Sequence, residues 1–170
     1  TSYRKQDVPC ILCTIDKDLL QVEGWHYKWE TWNSGEVKPH LVDSFGFLTG
    51  EYLEGVSVKT GKPTKSFVTK SFKGEGYLWF MAQILTGDTV DNIPGLQGCG
   101  AGKAYESLVE AKTEPEALAI VEELYQEKYG DTYEEELTEQ ARLVYMIREF
   151  DKNSPDGVKH WSLKDARDNV

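Results

Sequence analysis

Four aspartates and four glycines are the residues of this chain best placed to do chemistry. Asp16 and Asp18 flank Lys17 at the end of an apolar run, residues 8–15 (VPCILCTI). Asp88 and Asp91 follow about 70 residues later, spaced i, i+3, so that on a helical turn they would share a face. Carboxylates converging from two distant segments can hold divalent cations, because magnesium takes oxygen ligands and keeps several of its waters. Two such ions about 3.5–4 Å apart activate water and stabilise the leaving oxygen in phosphodiester hydrolysis. Each pair also has a plainer reading. An aspartate at a helix start caps it, and Asp-x-Asp is common in loops.

The glycines Gly95, Gly98, Gly100 and Gly102 fall within eight residues, between two helical patterns. Glycine admits positive φ and lets another backbone approach closely. Where a helix then begins, its free N–H groups and its dipole favour an anion. Helix, glycine turn and second helix can therefore grip a phosphate without reading bases. Glycines in a turn can also be purely structural.

These residues need elements to position them. The run 8–15 reads as a short parallel strand buried on both faces, and ligands of open α/β sheets sit at the carboxyl ends of such strands. Residues 26–32 alternate and suggest a strand, then a turn at residues 33–35. Trp25, Trp29 and Trp32 could stack on bases, but core packing is expected, since nothing basic is interleaved with all three. Residues 76–86 are helical in pattern and strongly apolar, and a second helix is expected over residues 101–110. Residues 114–150 read as two amphipathic helices broken near Gly130 and Asp131. Leu118, Val121, Leu124, Leu137, Ala141, Val144 and Tyr145 would form their apolar faces. The tail beyond Asp151 is expected to be peripheral.

The segments 14–21 (TIDKDLLQ) and 85–100 (LTGDTVDNIPGLQGCG) together resemble the flap endonuclease and 5′–3′ exonuclease family, which includes phage 5′ exonucleases and the 5′-nuclease domain of bacterial DNA polymerase I. The resemblance covers roughly residues 8–110. The second motif is highly specific, and the first is correctly placed. It implies an α/β fold with a mostly helical C-terminal part: a partial 5′-nuclease fold, with a PIN-like strand end and a helix–three-turn–helix element at about 76–110. On that reading residues 1–56 are the remnant of the nuclease core and 57–74 a basic loop or hairpin. Residues 75–150 are then the DNA-binding region, and 151–170 the tail. Asp16, Asp18, Asp88 and Asp91 match the family's metal ligands for two Mg2+ (or Mn2+) ions in the complete enzyme. The glycine segment matches its duplex-backbone grip, with a K+ ion held by carbonyls near Leu96, Gly98 and Cys99. The partner implied is double-stranded DNA with a 5′ end or flap.

Two departures stand out. Gly102 occupies the place where the family normally has lysine, and Lys103 follows one residue later, turned about 100° around a helix start. The family's first strand, helical arch and acidic cluster would have to precede residue 8. The missing ligands would come from upstream sequence or from a separate N-terminal nuclease half as a partner, and this chain alone could be a binding module that does not cut.

Composition bounds these readings. The chain has 170 residues, 39% hydrophobic and 28% charged, which fits a soluble globular protein. It shows no apolar run of transmembrane length and no signal-peptide pattern at its start, so a cytoplasmic location without membrane attachment is expected. Three cysteines are an odd number. Cys10 and Cys13 have CxxC spacing, but no second Cys or His pair completes a zinc site, so buried core thiols are expected. The net charge of −10 argues against nucleic acid as an average, but its distribution does not. Residues 57–74 contain Lys59, Lys62, Lys65, Lys70 and Lys73 and no acid, whereas residues 106–139 contain twelve acids. The lysines suit phosphate contact or a merely solvated loop. The acids read as a solvated face, or more remotely as a surface for a basic partner.

Overall fold

The computed structural model describes residues 10–32 and 35–168. It is a mixed α/β structure in which small sheets lean on a helical core. The strand residues 8 and 9 and the turn residues 33 and 34 lie outside the described residues.

Strand β1 (Ile11–Cys13) pairs in parallel with β2 (Gly24–Lys28), and β2 pairs antiparallel with β3 (Val37–Val42). The parallel pairing agrees with the sequence reading, but burial on both faces does not. Ile11, Trp25 and Leu41 are cross-strand neighbours on one face, and all three are more than half exposed. The other face carries the buried His26. The expected buried thiols are corrected with the strand: Cys10 and Cys13 are exposed, and only Cys99 is buried. The tryptophans are corrected likewise. Trp25, Trp29 and Trp32 are exposed, Trp32 completely. The described helices cover only one side of this sheet, so alternation there does not report a core.

Strand β4 (Phe47–Thr49) pairs antiparallel with β7 (Lys73–Glu75). Between them β5 (Tyr52–Val56) and β6 (Pro63–Phe67) form a projecting hairpin with its tip at residues 57–62. Helix α1 (Gly76–Thr86) follows β7 directly. Its residues Leu78 to Leu85 are all buried, so it is apolar all round and forms the centre of the core. Around it pack α2 (Ala101–Leu108), α3 (Glu114–Tyr129) and α4 (Tyr133–Val144). The start of α3 is fixed by Thr113 as its N-cap. The Thr113 hydroxyl accepts from the Glu116 amide, and the Glu116 carboxylate accepts from the amide of Lys112, the residue before the cap. Buried Tyr125 of α3 donates its hydroxyl to the Ile84 carbonyl at 3.0 Å, tying α3 to α1.

The break at residues 130–132 is a short 3-10 turn, as the sequence suggests. The tail is not merely peripheral. Trp161 and Leu163, the latter in α5 (Leu163–Asp168), are buried in the same core, with Trp161 edge-on to Phe80. The acids of α3 and α4 are mostly solvated, though Glu122 and Glu134 pair with Arg167. No helix among the described residues is long and apolar enough to cross a membrane.

Candidate functional site

The carboxylates come from two loops that α1 holds side by side. After β1 the chain enters a 3-10 turn, Lys17–Gln21, capped by Asp16, whose carboxylate accepts from the Asp18 amide at 3.0 Å. The Trp79 indole of α1 donates to the Lys17 carbonyl at 3.2 Å and pins this turn to the helix. At the other end of α1 the chain reverses sharply. Asp88 and Ile93 exchange both backbone hydrogen bonds, at 2.9 and 2.7 Å, and Asn92 adopts φ 58°. Asp88 and Asp91 therefore sit on a closed turn rather than on the expected helical one. The turn is held against α1 by glycine. A Cβ on Gly95 would lie 2.4 Å from the Gly87 nitrogen, and one on Gly87 would lie 2.2 Å from the Ile93 carbonyl oxygen. Both residues have positive φ.

Asp18, Asp88 and Asp91 each bring an oxygen within 4.8 Å of the others. Asp16 does not join them. Its Oδ1 instead accepts from the Asp18 amide as the cap of the 3-10 turn, and its side chain lies outside that group. The cluster already contains a cation. The Lys17 ammonium donates to Asp88 Oδ2 at 2.5 Å and lies 3.9 Å from Asp18 Oδ1. That bond, and the Val90 amide, hold the Asp88 carboxyl below its ordinary value although the residue is only 6% exposed, and burial opposes them. Burial pushes Asp18 up, against the pull of Lys17 and of a hydrogen bond from Gln83. Burial works to lower Lys17, but its bond to Asp88 and the surrounding acids outweigh that and raise it.

Behind Asp18 runs a buried amide chain that the sequence reading missed. Gln83 Nε2 donates to Asp18 Oδ1 at 2.5 Å, and Gln21 Nε2 donates to Gln83 Oε1 at 2.6 Å. Gln21 also donates to the Val144 carbonyl at 2.7 Å and accepts from the Met146 amide at 3.3 Å. Gln21 and Gln83 are 1% and 2% exposed, so these bonds replace water entirely. The available signal was a lone glutamine inside the apolar helix 76–86, which requires a partner once buried.

The glycine segment divides by role. Gly95 is a packing residue, and so is Gly102, where a Cβ would meet the Phe67 side chain at 3.1 Å. Gly98 and Gly100 have open space where a Cβ would stand, and both are exposed, as is Lys103. Gly100 is the N-cap of α2 and has no side chain to cap it. The Leu96 carbonyl, one of the three expected to hold potassium, accepts from the Cys99 amide at 2.9 Å and so closes the turn. The five lysines also divide. Lys59, Lys62 and Lys65 belong to the hairpin. Lys70 and Lys73 line a cavity of about 480 Å3 that reaches Asp16 and Lys17. All five are exposed. No protein-family model matches this chain, and neither does any curated protein or solved structure.

Proposed function

We propose that this chain supplies part of the divalent-metal site and the duplex-backbone grip of a 5′–3′ exonuclease or flap endonuclease. The observation that carries the reading is the convergence of Asp18 with Asp88 and Asp91, 70 residues away in sequence, within 4.8 Å. The donor set fits Mg2+ or Mn2+: three carboxylates, one of them buried and held ionised, around a point that already attracts the Lys17 ammonium. Asp18, Asp88 and Asp91 would hold the ion, which when bound supplies Lewis-acid activation of water for phosphodiester hydrolysis. Gln83 orients Asp18. The exposed turn at Gly98 and Gly100, leading into α2, offers its amides to a phosphate. A K+ ion held by the carbonyls of that turn, near Gly98 and Cys99, belongs to the same reading.

A complete two-ion site needs more acids than these three, and the N-terminal half of the nuclease, on the same polypeptide or on a separate one, is proposed to bring them. Ile11, Trp25 and Leu41 form an apolar row open to solvent among the described residues, a face that this half would cover.

The test is cleavage of a 5′-flap duplex with Mg2+, with and without an N-terminal half in trans. Cleavage that is lost in Asp88→Asn/Asp91→Asn while duplex binding persists is the expected result. Loss of binding together with cleavage would mean that these residues hold the fold instead. A second reading, a DNA-holding module that does not cut, is favoured by one observation. Lys17 neutralises Asp88 internally, as a structural salt bridge would. Salt-sensitive duplex binding with no cleavage under either condition would decide for it.

A further inference from the structure

The hairpin β5–β6 projects from the molecule, yet its base is fixed to α2 by specific contacts. Tyr52 and Phe67 are cross-strand partners with ring centroids 5.1 Å apart. Phe67 lies 5.5 Å from Tyr105 of α2, and Tyr52 donates its hydroxyl to Glu106 of α2 at 2.5 Å. Phe67 also covers Gly102, where any side chain would press on it from 3.1 Å. On the hairpin itself, Lys65 rests its ammonium 4.1 Å above the Tyr52 ring, and Lys59 and Lys62 occupy the exposed tip. Residues 57–74 carry no acid, in a chain whose net charge is −10, and the hairpin's single acid, Glu54, stands across from Lys65.

We propose that the hairpin is a second phosphate-backbone contact, locked to the glycine turn as one rigid clamp, with Phe67 against Gly102 as its joint. The absence of a side chain at residue 102 is then functional. It removes one local contact and makes room for Phe67, which holds three lysines at a fixed offset from the turn. A rigid offset matters because contacts that are already ordered cost little entropy on binding. The partner is a nucleic-acid duplex bound through its phosphates, since nothing on the hairpin offers a shaped set of donors for base edges. This inference rests on the nucleic-acid reading above.

The test is the salt dependence of binding to a labelled DNA duplex by fluorescence anisotropy. Each phosphate neutralised contributes about 0.9 to the slope of log Kobs against log salt. Lys59→Ala/Lys62→Ala/Lys65→Ala should flatten the slope by roughly 2–3 and weaken binding about tenfold or more at moderate salt. Phe67→Ala, with every lysine intact, should flatten the slope in the same direction, and Phe67→Leu should restore most of it. Amide exchange of the hairpin would show Phe67→Ala loosening it while α1 stays protected.

An unchanged slope in the triple-lysine variant, with wild-type binding still lost on Gly98→Val/Gly100→Val, would overturn the clamp and leave the functional reading standing. A Phe67→Ala variant that matches wild type would overturn the joint. A wild-type protein that binds no duplex at low salt would overturn both the clamp and the reading beneath it.

Discussion

Replacing Gln83 with leucine removes the side-chain amide that links the Asp18 carboxylate to the Gln21 network. The bond to Asp18 is charge-assisted, short at 2.5 Å, and made by a residue 2% exposed. Hydrogen bonds to charged groups contribute about 1.5–3 kcal/mol. Gln21 would keep its bond to the Val144 carbonyl but lose its second acceptor, and a buried unsatisfied donor costs about 1–3 kcal/mol. Leucine returns part of this through apolar burial. A net destabilisation of about 3 kcal/mol is expected, and at about 2–4 °C per kcal/mol that lowers Tm by roughly 6–12 °C. Metal affinity should fall too, since losing an outer partner of a ligand typically costs about 10–100-fold. Differential scanning calorimetry and Mg2+ titration calorimetry read the two effects separately. A Gln83→Leu protein within about 1 kcal/mol of wild type, with unchanged Mg2+ affinity, would refute the idea that the amide chain orients Asp18.

Three further outcomes follow from the same site. Lys17→Met leaves the carboxylates without their internal cation, so the metal-free protein should melt lower than wild type at pH 7, while Mg2+ should raise its Tm by more than it raises that of wild type. An equal Mg2+-induced rise in both proteins, measured by thermal shift, would show that Lys17 and the metal do not share the site. The folded pKa of Asp88 lies below its unfolded value near 3.8, so its contribution to stability is present above that pH and is lost as pH falls through the folded value. Lys17→Met should flatten that acid limb in denaturant titrations between about pH 5 and 2, whereas an unchanged limb would place the pH dependence elsewhere. Asp16→Ala should lower stability by about 0.5–2 kcal/mol through the lost cap and leave Mg2+ affinity near wild type. Asp18→Ala should abolish that affinity. Equal loss in both would return Asp16 to the ligand set.

The helices were legible in the sequence because their signals are local. The all-apolar stretch 76–86 forms α1, and the apolar faces within residues 114–150 form α3 and α4. Glycine at residue 130 also ends α3 close to where the pattern breaks. The pairing of Asp18 with Asp88 and Asp91 was legible only as one possible convergence of two acidic segments, since no local rule joins positions 70 residues apart. Exposure of Trp25 and Cys13 was not legible, because an apolar strand reads the same whether or not something covers its second face. The roles of Gln21 and Gly102 depend on partners distant in sequence, Gln83 and Phe67. Asp16 and Asp18 look equivalent as Asp-x-Asp, and only the capping geometry separates them.

The proposed function requires Asp18, Asp88 and Asp91 to form a divalent-cation site. Titrating the purified chain with Mn2+ and following free Mn2+ by electron paramagnetic resonance measures this without requiring catalysis. A saturable site in wild type that disappears in Asp88→Asn/Asp91→Asn, and survives in Asp16→Asn, is the predicted result. Wild-type binding no tighter than that of Asp88→Asn/Asp91→Asn would contradict the proposed function, leaving the cluster as a Lys17 salt bridge and nothing more.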